Sequence, residues 1–292
     1  MIIRVGLPHR GGRLAFHAFN REYPAMVSAS AFWNPKTREF VVPEASDIYE
    51  IDYALDSAGF TAMRLWQAKG KQPAKIRLRP PYGPAHCSEL DVLLIRPGEN
   101  AGNPCEPEIA RNQAEIDYRI NATATLLEGS LRVVHEWQSE YRWLTPPVPV
   151  IQGWSASDYL RSLDLMLQVW ERWLPAPALI GVGSVCRRSL NHPTHGLFAI
   201  LTALEGWLPS GSSLHLFGVK GSALSELKMF DFVASVDSMA YDARARIKAH
   251  SASASNSFAH RCCEMTHWME AAQCRSRLVI GDQFRLAFKA SS

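Results

Sequence analysis

Short apolar runs that stop on glycine or a polar residue alternate with helix-patterned segments, and no other feature restricts the fold as much. The runs include "YALD" (53–56), "LDVLLIRPG" (90–98), "RVVHEW" (132–137), "VPVIQGW" (148–154), "ALIGVGSV" (178–185), "SSLHLFGVKG" (212–221) and "DFVASVD" (231–237). Between them lie segments with helical periodicity at 106–129, 155–174 and 195–208, and a short one at 222–230. Strands that alternate with helices build parallel sheets, because a parallel connection needs a crossover. Apolar strands that repeatedly end in Gly or a polar group fit a closed (β/α)₈ TIM barrel better than an open sheet, with the chemistry at the C-terminal strand ends. The expected organisation is one domain. Residues 1–249 form the barrel; residues 250–292 add a flexible loop, beginning with the small-residue stretch "HSASASNSFAH" (250–260), and a short C-terminal appendage.

The chain has 292 residues, 47% of them hydrophobic and 20% charged, enough for a sizeable core in a single barrel. A net charge of +3 permits nucleic-acid binding without arguing for it. No stretch reaches the roughly 18 unbroken apolar residues of a membrane span. The opening "MIIRVGLPHRGGR" lacks the apolar region of a signal peptide, so a cytoplasmic location is expected. Six cysteines are too few for a disulfide scaffold and read as thiols or metal ligands.

The strand ends carry the functional signal. They are Asp56-Ser57-Ala58-Gly59-Phe60, Gln152-Gly153-Trp154, Gly181-Val182-Gly183-Ser184, Phe217-Gly218-Val219-Lys220 and Asp237-Ser238. A barrel would ring one mouth with all five. Two aspartates there suit paired roles, one as nucleophile or charge stabiliser and the other as proton carrier. A flat ligand between Phe60 and Phe217, bonded by Gln152 and glycine amides, would be a heterocycle such as a nucleobase. Taken singly, each has a plainer reading: a strand-end Asp is more often a helix cap, and a Phe more often core. The combination lowers those priors.

The same stretches resemble the tRNA-guanine transglycosylases. "LDSAGF" is similar to their "SDSGGF", "VIQGW" to "VQGG", "IGVGSVCRR" to the glycine-rich "GGLAVGE", and "LFGVKG" to "LMGVG". "ASVDSMAYDAR" stands where they carry a nucleophilic aspartate. "GVGSVCRR", "PCEPEIA" and "VDSMAYD" look more like the DNA-modifying DpdA branch. The resemblance runs from about residue 4 to 270, in the family's motif order.

It implies a TIM barrel that exchanges a guanine in a polynucleotide for a 7-deazaguanine such as 7-cyano-7-deazaguanine. Asp237 would attack C1′ and displace guanine, as a carboxylate does in retaining glycoside hydrolysis, while Asp56 moves protons. Phe60 would stack on the base, with Phe217 on its other face. Gln152, Gly153, Gly181 and Gly183 would read the base edge. The target base must leave its stack or be unpaired. Arg187, Arg188, Arg244 and Arg246 are the candidate phosphate contacts, with a solvated surface as the alternative.

Two departures stand out. Where the family has an aspartate before its "CEP" motif, this chain has "GENAGNPCEP". Gly102 occupies that place with Glu99, Asn100 and Asn103 nearby, so Asn103 is a candidate base contact. The family also holds a structural zinc. Here the donors are His260, Cys262, Cys263, His267 and Cys274, with adjacent cysteines; Cys262, Cys263 and His267 are the candidate ligands, and buried thiols on a helix the alternative. DNA is the expected polynucleotide, with tRNA as the alternative. The competing functions are a glycosylase that releases a base without replacing it, and a non-catalytic nucleic-acid-binding subunit.

Overall fold

The structure is a computed structural model and describes residues 1–8, 12–34, 36, 39–40, 50–56, 112–142, 144–186 and 188–277. The expected strand at 90–98, and Phe60, Asn103 and Arg187, lie outside the described residues. In chain order the elements are β1 (Ile2–Leu7), α1 (Arg13–Asn20), β2 (Ala25–Ser28), a small antiparallel ribbon of β3 (Trp33–Asn34) with β4 (Glu39–Phe40), and β5 (Tyr53–Asp56). Then come α2 (Gln113–Trp137), β6 (Val150–Ile151), α3 (Ala156–Trp170), β7 (Leu179–Val182), α4 (Leu197–Glu205) and β8 (Ser213–Leu216). The last are α5 (Leu224–Leu227), β9 (Val233–Ser238), α6 (Ala240–Ser251) and α7 (Phe258–Ser276).

Seven strands form one all-parallel sheet in the order β5-β2-β1-β9-β8-β7-β6. Read from β6, each neighbour is the next of these strands in the chain until β9, which pairs with β1; β2 and β5 then continue the same way. The winding direction never reverses, so there is no switch point of the doubly wound kind. This is the order of a singly wound, barrel-type sheet with its seam between the first and last strands. Among the described residues the sheet is open between β5 and β6.

Register separates the two faces, because paired residues of parallel strands point the same way. Ile3, Val5, Leu7, Ala25, Val27, Ile151, Ile180, Val182, Leu214, Leu216, Val233 and Val236 are buried in one continuous core with the helices. The other face carries Arg4, Gly6, Met26, Ser28, Ala54, Asp56, Val150, Gly181, His215, Ser235 and Asp237. The helix-facing side is thus aliphatic, and the inner side, Met26 and Val150 apart, is small, polar or charged.

Three sequence expectations are corrected. "RVVHEW" is not a strand but the last turns of α2. Ile116, Ile120, Ala124, Leu127, Leu131 and Val134 are buried at helical spacing, and this stripe overrides the strand preference of two adjacent valines. For the same reason α2 runs through Gly129 instead of closing there; it starts at Gln113, where the Asn112 side chain accepts from Glu115 N–H. The loop expected over 250–260 is also shorter. Ser257 caps α7 by accepting from His260 N–H, and α7 buries Met265, Trp268, Met269 and Ala272 in the main core.

α3 begins as its Ser/Asp start predicts. Ser155 Oγ accepts from Asp158 N–H, and the Asp158 carboxylate accepts from Ser155 N–H at 2.8 Å, a capping box. Burial pushes the Asp158 carboxyl up, but hydrogen bonds from Ser155, Gln113 and Trp154 outweigh it and hold it below its usual value. Its contribution is therefore present at neutral pH and is lost as pH falls through that depressed value. Ser155→Ala should cost about 1 kcal/mol, read as a lower urea midpoint with an unchanged slope. Among the described residues no helix is long and apolar enough to cross a membrane.

Candidate active site

Asp237 sits one residue before the C-terminal end of β9, on the inner face, and is 9% exposed. Its Oδ1 accepts from the Gly218 N–H at 2.9 Å, and its backbone carbonyl accepts from Val219 N–H at 2.9 Å. The turn after β8 is therefore wrapped around this aspartate. Gly218 makes the wrap feasible: its φ is +69°, a conformation that favours glycine, and a Cβ there would stand 3.0 Å from Cys186 Cβ.

Beside Asp237 lies His215, which the sequence reading did not single out. It is 4% exposed. Its Nδ1 is 2.7 Å from Ser235 Oγ, and its Nε2 is 3.4 Å from Asp237 Oδ1. That Nε2 is buried and makes no hydrogen bond of normal geometry among the described residues. A period-two reading of "SSLHLFGVKG" would have found it, since His215 must share a face with Phe217. The two rings meet edge to face, centroids 4.6 Å apart.

Phe217 in turn explains a glycine. A Cβ on Gly181 would stand 2.7 Å from Phe217 Cε2 and 3.1 Å from Val150 Cγ2, so the ring lies directly against the β7 backbone. Gly183 faces the Gln152 side chain in the same way, at 3.2 Å. The Gln152 amide is held in place: its Nε2 donates to Thr123 Oγ1 of α2 at 3.2 Å, and its Oε1 accepts from Ser184 Oγ at 3.3 Å. The structure thus brings Gln152, Gly181, Gly183, Phe217 and Asp237 together along one half of the inner face. Gly153 has a different reason to be glycine. A Cβ there would meet Asp158 Cβ at 2.7 Å, in the first turn of α3.

Asp56 closes β5 on the inner face, half-buried, in register with Ser28. Three strand steps separate it from Asp237, about 14 Å measured along the sheet at the usual strand spacing. Arg4 is the register partner of Asp237, yet its guanidinium reaches the other way. Nη1 donates to Asp52 Oδ1 at 3.0 Å and to the Asp52 carbonyl at 3.1 Å, just before β5 begins. The cation is tied to the N-terminal end of the sheet, and the two aspartates hold the C-terminal end.

The arginines divide by environment. Arg188 is 3% exposed and directs its donors at the protein itself. Nε and Nη2 donate to the Ser184 carbonyl, Nη2 also to Gly153 O at 2.9 Å, and Nη1 to the carbonyls of His195 and Trp154. The guanidinium also lies 4.7 Å from the Trp154 ring centroid. Arg188 ties the ends of β6 and β7 together and has no face turned to a phosphate. Arg244 and Arg246 are the reverse. They stand on α6, well exposed, paired to Glu264 at 3.4 Å and to Asp242 at 3.1 Å.

The cysteines of α7 do not assemble a four-ligand set. Adjacent helical residues point about 100° apart. Cys263 Sγ lies 3.9 Å from the His267 ring nitrogens one turn on, while Cys262 Sγ turns to the Arg13 carbonyl at 3.8 Å. Burial pushes the Cys262 thiol up, which disfavours the thiolate a metal needs. Among the described residues no group of three His, Cys, Asp or Glu side chains could hold a metal.

Chemically, a buried carboxylate with one oxygen anchored by a backbone N–H can turn the other on an electrophilic carbon, or steady a positive charge there. The Phe217 ring lies flat against the β7 backbone at Gly181 and presents an aromatic surface on the same inner face as Asp237. A comparison with curated proteins finds no match. A family model described as "DpdA: DeoxyPurine in DNA protein A" matches residues 100–287, well over half of the chain. The matched span contains β6 to β9 with Gln152, Gly181, Gly183, Phe217, His215 and Asp237; β1, β2, β5 and Asp56 precede it.

Proposed function

The chain belongs to the DpdA family, and from that premise we propose that it is a transglycosylase that exchanges guanine in DNA for a 7-deazaguanine base. The observation that carries this reading is Asp237: a carboxylate at the end of a barrel-type strand, one oxygen held by Gly218, on the same inner face as Gln152 and the Phe217 ring that covers Gly181. In the proposed reaction the other oxygen attacks C1′ of the target deoxyguanosine. The C1′–O bond forms as the C1′–N9 bond breaks, and guanine leaves with the electron pair and takes up a proton. N9 of the incoming base then attacks C1′, and the ester electrons return to Asp237. Asp56 is assigned the proton transfers at the bases. Phe217 and the β7 backbone pack the base; Gln152 reads its edge.

Sheet order also supports closure of a complete (β/α)₈ barrel. The seven strands leave one position between β5 and β6, and the chain between them contains one further strand-like run, "LDVLLIRPG". An eighth strand there would bring the Asp56 edge round toward Gln152. Arg244 and Arg246 are assigned to the DNA backbone, since both project into solvent.

The test is mass spectrometry of nucleosides from DNA and tRNA of cells that express the chain with labelled deazaguanine precursors supplied. Label in DNA is the expected result. Label in tRNA alone would move the substrate to tRNA. Abasic DNA without label would make the protein a glycosylase, and unaltered nucleosides with retained DNA binding would make it a binding subunit.

A further inference from the structure

The buried His215 lies beside Asp237 and has no part in the proposed reaction. Its geometry selects a tautomer. If Nδ1 carried the hydrogen and donated it to Ser235, the Nε2 lone pair would lie 3.4 Å from the Asp237 carboxylate, two acceptors opposed in a buried site. The complementary arrangement has no such conflict. The Ser235 hydroxyl donates to Nδ1 at 2.7 Å, which leaves the hydrogen on Nε2, the nitrogen 3.4 Å from Asp237 Oδ1. Register makes the pairing systematic: His215 is opposite Ser235 on β9, and Asp237 is two residues further along the same face.

From this we infer that His215 is a positioning residue for Asp237, acting through the transglycosylase reading above, on which the inference rests. Gly218 N–H donates to Oδ1 and His215 Nε2 lies 3.4 Å from the same oxygen, which leaves Oδ2 as the attacking oxygen. The effect is unequal across the two half-reactions. When Oδ2 bonds to C1′ the carboxylate becomes an ester and Oδ1 loses charge. When the incoming base displaces Asp237, the charge returns to the carboxylate. A donor at Oδ1 stabilises that returning charge, so His215 assists chiefly the breakdown of the covalent intermediate. Ser235 contributes only by fixing the tautomer, as second partners of histidine do elsewhere.

The test compares His215→Phe, which has no donor, with His215→Gln, whose amide nitrogen can occupy the Nε2 position, and with Ser235→Ala. The full-length proteins are given guanine-containing DNA with and without labelled deazaguanine. Exchange rate and the fraction of protein trapped as a DNA adduct on denaturing gels are read together. The expected result for His215→Phe is exchange slower by about 10–100-fold, with a larger adduct fraction in the presence of incoming base. His215→Gln should restore most of the rate and the low adduct fraction, and Ser235→Ala should fall between. A merely structural role would lower adduct and exchange together, and that outcome overturns the inference, as does a His215→Gln protein no better than His215→Phe. Should His215→Phe fail to fold, Ser235→Ala and His215→Gln decide by the same two readouts. A parental protein that exchanges base beside a His215→Phe protein identical to it removes the inference alone. A parental protein that forms no adduct removes the transglycosylase reading and the inference with it.

Discussion

Asp237→Asn should abolish both base exchange and the covalent adduct, with exchange falling by about 10³-fold or more, as expected when a nucleophile is removed. The substitution suits the test because it is nearly isosteric. The asparagine Oδ1 can still accept from Gly218 N–H, so the β8 turn keeps its anchor and the protein should unfold at close to the parental urea concentration. DNA binding should also persist, since Arg244 and Arg246 are untouched. A parental exchange rate in this variant would end the covalent reading. Asp56→Asn gives a contrasting signature: exchange about 10²-fold slower, as for a lost general acid–base group, with the adduct still formed but more slowly than in the parental protein.

Arg188→Ala should be the most destabilising single change at the mouth. It leaves the carbonyls of Gly153, Trp154, Ser184 and His195 without their shared donor in a buried site. Ser184 adds to the cost, because it is held at φ +59°, where a non-glycine residue is strained, and Arg188 grips its carbonyl with two nitrogens. The loss should be about 3–5 kcal/mol, in the range for breaking a buried charged network, and is read as the urea midpoint. Arg188→Lys should recover little, because an ammonium cannot span carbonyls placed for a planar fork. If Arg188→Ala instead keeps its stability and loses only DNA affinity, Arg188 is a phosphate contact after all.

Strand ends were the most legible part of this fold, and the reason is physical. A strand that faces helices on one side and a polar interior on the other alternates aliphatic with small or polar residues, as β8 does in "SLHL" and β7 in its last three residues, "IGV"; β9 shifts its aliphatics to Val233 and Val236 across a register irregularity. Positions after each strand then fall on the inner face by parity, which is why Gln152, Gly183 and Phe217 could be found. What parity does not give is the partner. Arg188 and Arg244 look alike in sequence, yet one lies under a tryptophan among carbonyls and the other stands in solvent. The same limit hid the end of α2, where a local valine pair suggests a strand and only the packing of a distant face keeps the helix going. His215 was missed for a different reason: a lone histidine in an apolar strand reads as core until its neighbour across the ladder is known.

The pairing of β1 with β9 bears on how such a chain is made. Ile3 and Val236 are adjacent in the sheet but far apart along the chain, and Tyr241 closes the same seam by donating to the Gly6 carbonyl at 2.9 Å. On a ribosome that adds about 5–20 residues per second, β1 emerges some tens of seconds before its permanent neighbour exists. During that interval β1 has β2 on one side, and its other edge is open to other nascent chains. The strand that finally covers it is the one that bears Asp237. Protection from aggregation and arrival of the proposed nucleophile are therefore a single event.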